Sequence, residues 1–133
     1  RNLFMNVGDV MQSIDKVTCA HTDETLREVV IRMTKAPLGA ACVLSKKSEL
    51  KGILTDGDIR RLLSQDGDIL AKRVGDCMTT SAVHADAGMS LVDAIRLMEE
   101  RSSQISVLPV VEEGSLKCLG LVRLHDVYQP SFS

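Results

Sequence analysis

A chain of 133 residues with 44% apolar content is long enough to bury a compact core, which excludes a disordered segment. Its 16 basic and 18 acidic side chains are interspersed and leave a formal charge of −2, so no basic footprint for nucleic acid or anionic membrane is present. With no Trp, one Tyr and two Phe, stacking platforms for single strands are nearly absent and the core must be aliphatic. No run approaches the roughly 20 apolar residues of a membrane helix and nothing resembles a secretory signal, so a cytoplasmic location is expected. Cys19, Cys42, Cys77 and Cys118 lie in separate apolar runs without C-x-x-C spacing. They read as reduced, buried thiols.

In chain order, the elements come twice. Val7-Gly8-Asp9-Val10-Met11 opens the first set and returns as Val74-Gly75-Asp76-Cys77-Met78. Asp9 to Met11, and Asp76 to Met78, predict a short helical turn. An extended piece follows at Val17 to Cys19 and at Ala82 to His84. Capping residues at Asp23-Glu24-Thr25, and at Asp86 to Ser90, then precede apolar positions at helical spacing: Leu26, Val29, Val30 and Met33, repeated as Leu91, Ala94, Ile95 and Met98.

Strands are predicted at Ala40 to Leu44 and Ile105 to Val111. Polar turns at Ser45 to Glu49 and Glu112 to Ser115 lead to return strands at Leu50 to Leu54 and Leu116 to Val122. A last helix begins near Asp58, and in the second copy near His125. Each unit is about 65 residues and reads β-α-β-β-α. The fold class is therefore α/β (α+β), with the first repeat over 1–66, a joint at 67–73 and the second repeat over 74–133. Neither unit can bury both faces of its sheet alone, so two repeats packed sheet to sheet with pseudo-twofold symmetry are expected.

The duplicated order, with Val-Gly-Asp-x-Met opening each copy and Gly52-Ile53-Leu54-Thr55-Asp56-Gly57-Asp58 closing the first, resembles a tandem pair of CBS domains over nearly the whole chain. Together with Leu38-Gly39, Ile59-Arg60-Arg61 and Val74 to Thr79, these motifs look like the C-terminal region of bacterial arabinose 5-phosphate isomerases. That resemblance implies an upstream sugar isomerase domain, in the pathway to the octulosonic acid Kdo of lipopolysaccharide or capsule. The abrupt opening on Arg1-Asn2-Leu3-Phe4 fits a fragment of such a longer protein.

The resemblance also implies a ligand set. In nucleotide-binding CBS pairs the Asp of a Thr/Ser-x-x-Asp motif takes the ribose hydroxyls, while the hydroxyl and nearby backbone amides meet phosphate. Thr55 and Asp58 match this pattern. A carboxylate can accept two hydrogen bonds from a cis-diol, and a helix N-terminus offers N–H donors to an anion. The same pattern is also a capping box that needs no ligand, and both readings stand.

The second copy carries Arg123 and Asp126 instead. Arg123 can grip a phosphate or carboxylate, or pair with Asp126. The asymmetry implies that the two clefts do not bind the same thing. Gly39, Ala40, Ala41 and Cys42 are small enough to let a flat base approach the backbone, or to pack tightly. Arg60, Arg61 and Lys35 form a modest basic cluster, of which at most one arginine is expected to face a cleft; Arg61 is the candidate.

No catalytic constellation emerges. Asp56-Gly57-Asp58 becomes Leu124-His125-Asp126 in the second copy, losing one carboxylate, and His21, His84 and His125 lack metal-ligand spacing. No cofactor or metal is expected, and this stretch is read as non-enzymatic. The expectation is a regulatory module sensing a nucleotide-type effector, CMP-Kdo ahead of AMP or ATP, that biases its own upstream isomerase domain. A homodimer within a tetrameric parent is expected, with a ligand-free architectural block as the rival reading.

Overall fold

The computed structural model describes residues 5–80, 82–102 and 104–130. The first repeat runs α1 (Val7–Val10), β1 (Gln12–Ser13), β2 (Thr18–Ala20), α2 (Leu26–Lys35), β3 (Ala40–Leu44), β4 (Leu50–Thr55) and α3 (Asp56–Leu63). The second runs α4 (Val74–Cys77), β5 (Ala85–Asp86), α5 (Leu91–Glu99), β6 (Val107–Val111), β7 (Cys118–Arg123) and α6 (Leu124–Tyr128). Short 3-10 turns at Ile14–Lys16 and Ile69–Ala71 complete the described elements.

Local chemistry sets the helix starts. Thr25 caps α2 reciprocally: its hydroxyl accepts from the Glu28 N–H at 3.3 Å and the Glu28 carboxylate accepts from the Thr25 N–H at 3.0 Å. Ser90 caps α5 by accepting from the Asp93 N–H at 3.0 Å. Behind the caps, Leu26, Val29 and Met33 of α2, and Ala94 and Met98 of α5, face inward and are buried.

β2 runs parallel to β3, which pairs antiparallel with β4; β5, β6 and β7 repeat this arrangement. The two sheets meet over a shared apolar layer in which Ala40, Cys42, Leu44 and Ile53 of the first repeat pack with Val111, Cys118 and Leu121 of the second. This is the expected sheet-to-sheet body. Each sheet also has an outer core against its own helices, around Leu26 and Leu54 in one and Met98 and Leu108 in the other.

The opening turns are exchanged. Val7 and Val10 of α1 are buried among second-repeat residues, whereas Val74 of α4 is buried in the first-repeat core. The backbone confirms the crossover: Val7 and Gly8 donate to Met89 and Ala87, and Val74 and Gly75 donate to Glu24 and Thr22, each at 2.8 Å. β1 then joins the second sheet, pairing Gln12 with Leu121, while Thr79 pairs with Ile53 of β4. Glycine makes both approaches possible. A Cβ at Gly52 would lie 2.7 Å from the Thr79 carbonyl oxygen, and one at Gly120 would collide with that of Gln12. The two sequence repeats are thus not coextensive with the two cores.

Several boundaries differ from expectation. The short turns occupy Val7–Val10 and Val74–Cys77, earlier than the predicted Asp9–Met11 and Asp76–Met78. Pairing in the second repeat falls on Ala85–Asp86 rather than on Ala82 to His84, because fully buried Ala85 provides the in-register partner of Val110. β6 starts at Val107: the Leu124 N–H to Ser106 carbonyl bond closes the end of the ladder, and before it the Ile105 N–H donates back to the Met98 carbonyl of α5 instead of to β7. Likewise Leu116 precedes β7, its carbonyl accepting from Leu50 of the other repeat. Cys42 and Cys118 are buried as read, but Cys19 and Cys77 are partly exposed; all four are free thiols. Burial raises the Cys19 and Cys77 thiols above their ordinary value.

Candidate ligand-binding cleft

A cleft of about 450 Å³ opens between the repeats. The first repeat lines it with Gly39, Thr55, Asp56, Gly57, Arg60 and Arg61, and the second with Gln104, Ile105, Ser106 and Val107. Its floor follows from two chain reversals. Gly39 enters β3 at φ +88°, a left-handed conformation that favours glycine, and its carbonyl accepts from the Asp56 N–H at 3.0 Å. The strand start and the first turn of α3 are thereby tied together. The second repeat makes the matching bond, Leu124 N–H to the Ser106 carbonyl at 2.8 Å, which marks Ser106 as the counterpart of Gly39.

Thr55 sits where β4 turns into α3. Its hydroxyl accepts from the Asp58 N–H at 3.1 Å, and Asp58 Oδ2 accepts from the Thr55 N–H at 2.9 Å. The capping box is therefore formed. Asp58 Oδ1 also accepts from Arg61 at 2.6 Å, and the Arg61 side chain is 73% exposed. An added Cβ at Gly57 would lie 3.5 Å from an Arg61 guanidinium nitrogen, so this arginine lies over the first turn of α3.

Arg60 and Arg61 both border the cleft, where at most one was expected. The reason is geometric. The cleft spans the start of α3 broadly enough to meet adjacent side chains, and Arg61 bends back toward the N-terminus instead of following its own helical direction. Ala40, Ala41 and Cys42 are buried in β3, because every side chain of that strand packs into a core; of the small-residue stretch, Gly39 is the one that lines the cleft.

Arg123 and Asp126 stand at the equivalent place in the second repeat. The Arg123 backbone N–H and Nε both donate to Asp126 Oδ2, at 2.9 and 3.0 Å, while Nη2 donates to Oδ1 at 2.8 Å. Gln12 Nε2, arriving on the exchanged β1, donates to Oδ1 at 3.2 Å. Burial pushes the Asp126 carboxyl up, but Arg123 and Gln12 outweigh it and hold the group below its ordinary value. The same pairing raises Arg123. Of the two readings of Arg123, the ion pair with Asp126 is the one formed.

Reading the sequence missed Gln104 to Val107 and the part played by Asp56 and Gly57. The signal for Ser106 was present, since the repeat aligns it with Gly39. A second hollow, of about 510 Å³, lies along His21 to Asp23, Leu44 to Lys46 and Lys51. It involves one repeat and lacks the convergence of two chain reversals. Among the described residues no cluster of His, Cys, Asp and Glu could hold a metal ion, and no helix is long and apolar enough to cross a membrane.

The profile of the CBS domain matches residues 7–65 and again residues 74–129. The chain belongs to the CBS domain family. As a CBS pair it is similar to the arabinose 5-phosphate isomerase KdsD of Yersinia pestis, at 31% identity over 127 residues; that match takes in 96% of this chain but spans only 38% of the relative. The KdsD of Escherichia coli K12 is 28% identical over the same length. Among solved structures, CBSX2 in complex with AMP superposes with a TM-score of 0.76 at 23% identity, covering 94% of both chains. The CBS pair of MJ0100, in complex with 5-methylthioadenosine and S-adenosyl-L-methionine, superposes with a TM-score of 0.81 at 21% identity, covering 95% of this chain and 94% of that one. The fold is that of these CBS pairs.

Proposed function

We propose that this CBS pair is the regulatory module of an arabinose 5-phosphate isomerase, holding a nucleotide-type effector in the cleft between its repeats. The observation that carries the reading is the convergence of Thr55, Gly57, Arg60 and Arg61 at the start of α3 opposite Gln104 to Val107. Two guanidinium groups and a helix N-terminus attract anions, and Asp58, which does not itself line the cleft but is paired with Arg61 that does, can take a ribose diol in exchange for Arg61. Binding that favours one arrangement of the two repeats biases the attached catalytic domain by its differential affinity for the two states.

The favoured effector is CMP-Kdo, a downstream product of the isomerase's pathway. It carries a phosphate and a sugar carboxylate, two anionic groups for Arg60 and Arg61. The second reading, an adenine nucleotide such as AMP or ATP, is supported by the adenine ligands of CBSX2 and MJ0100. The proposal includes a cytoplasmic location and a homodimer through the helical faces that expose Ile31, Leu63, Val92 and Tyr128.

Thermal unfolding with CMP-Kdo, CMP, AMP and ATP in turn tests it. A ligand at one hundred times its dissociation constant adds about 2.7 kcal/mol of stability. A rise with CMP-Kdo alone supports feedback sensing and a rise with adenine nucleotides supports energy sensing. No shift with any of the four sinks the effector reading and leaves a purely architectural pair.

A further inference from the structure

The two equivalent carboxylates, Asp58 and Asp126, are in different states of saturation. An ionised carboxylate offers about four acceptor sites. Asp126 receives four donors: the Arg123 backbone N–H, Arg123 Nε, Arg123 Nη2 and Gln12 Nε2. Asp58 receives two, the Thr55 backbone N–H and Arg61 Nη2. Their accessibility follows the same order. The Arg123 and Asp126 side chains are 31% and 8% exposed, against 73% and 18% for Arg61 and Asp58.

The donor geometry resembles a bound sugar. A ribose cis-diol presents two O–H donors to the two oxygens of a carboxylate. Arg123 presents Nε and Nη2 to the same two oxygens, and it can do so because the position equivalent to Thr55 here holds a side chain that only donates. Gln12 adds a second lock from the other repeat, held in place by the pairing of β1 with β7. Displacing the pair would require a ligand to break three side-chain hydrogen bonds at a buried carboxylate, against one at an exposed arginine in the first repeat.

We propose that Arg123 closes the second repeat's site by occupying Asp126 as an internal substitute for ligand, so that the chain takes up one nucleotide rather than two. The probe used below rests on the proposed reading of the first cleft. The closure itself does not.

Titration calorimetry with AMP and with CMP, on the wild type and on Arg123→Thr, is combined with the arginine Nε–H signals in a nitrogen-resolved NMR spectrum. The expected result is one nucleotide per wild-type chain, a solvent-protected Arg123 Nε–H that stays in place at saturation, and a second binding event in Arg123→Thr. Two nucleotides per wild-type chain, or an Arg123 signal that moves on saturation, overturns the proposal. So does an Arg123→Thr chain that melts cooperatively and still takes up only one. If the wild type binds neither nucleotide, the effector reading fails and the closure is decided separately: a protected Arg123 Nε–H upholds it, and one that exchanges as fast as that of Arg61 overturns it.

Discussion

At the scale of single residues, Asp58 carries two roles that substitution can separate. As the second half of the Thr55 capping box it stabilises α3, and receiving a ribose diol is the role proposed for it. Asp58→Asn retains an acceptor for the Thr55 N–H but not the charge. It should keep stability within about 1 kcal/mol of the wild type while weakening nucleotide binding at least tenfold, about 1.4 kcal/mol. Calorimetry beside thermal unfolding reads both, and unchanged affinity would leave Asp58 a cap alone.

Asp126 gives a prediction in pH. Its carboxyl is held below the ordinary value of 3.8 in the folded chain, so the unfolded chain takes up the proton first as acid is added. The stabilisation is fully present above 3.8 and is lost as pH falls through the lowered folded value. Asp126→Asn should cost about 1–3 kcal/mol at neutral pH, where it leaves Arg123 without its charged partner. The difference from wild type should shrink below pH 3.8, as denaturant unfolding across that range would show. A gap independent of pH would mean that packing, not charge, makes the contribution.

Elements differ in how far local sequence determines them. α2 and α5 were legible because Thr25 and Ser90 supply caps and the apolar spacing is helical over the whole length. β3 and β4 were legible because a polar turn separates two apolar runs. The start of β6 was not, because Ile105 is apolar and reads as strand, and its exclusion depends on the bond from its N–H to the distant Met98 carbonyl. The cleft was half legible: Thr55 and Gly39 stand out through the motif, whereas Gln104 to Val107 are defined only by what they face. What Gly52 and Gly120 do needed the structure: each leaves room for a segment of the opposite repeat, Thr79 at Gly52 and β1 at Gly120. Gly120→Ala forces its neighbour β1 away and should cost about 1–3 kcal/mol. Thermal unfolding is the check, and a neutral effect would mean that β1 is not held against β7 in solution.

For the whole molecule, the exchange of α1 and α4 is the feature no periodicity could reveal, since it pairs each turn with the core of the other repeat. Its consequence is that neither core is complete within one repeat. Val7 and Val74 are both fully buried, each in the other repeat's core. Truncating either to Ala removes buried methyl groups and leaves a cavity, at a cost of about 1–3 kcal/mol. The location of the damage is the discriminating quantity, because native proteins open in local cooperative units. Hydrogen exchange should show Val74→Ala accelerating the amides of α2 more than those of α5, and Val7→Ala accelerating α5 more than α2. Acceleration confined to the repeat that contains the substitution in sequence would mean that the turns pack at home and that the exchange is absent.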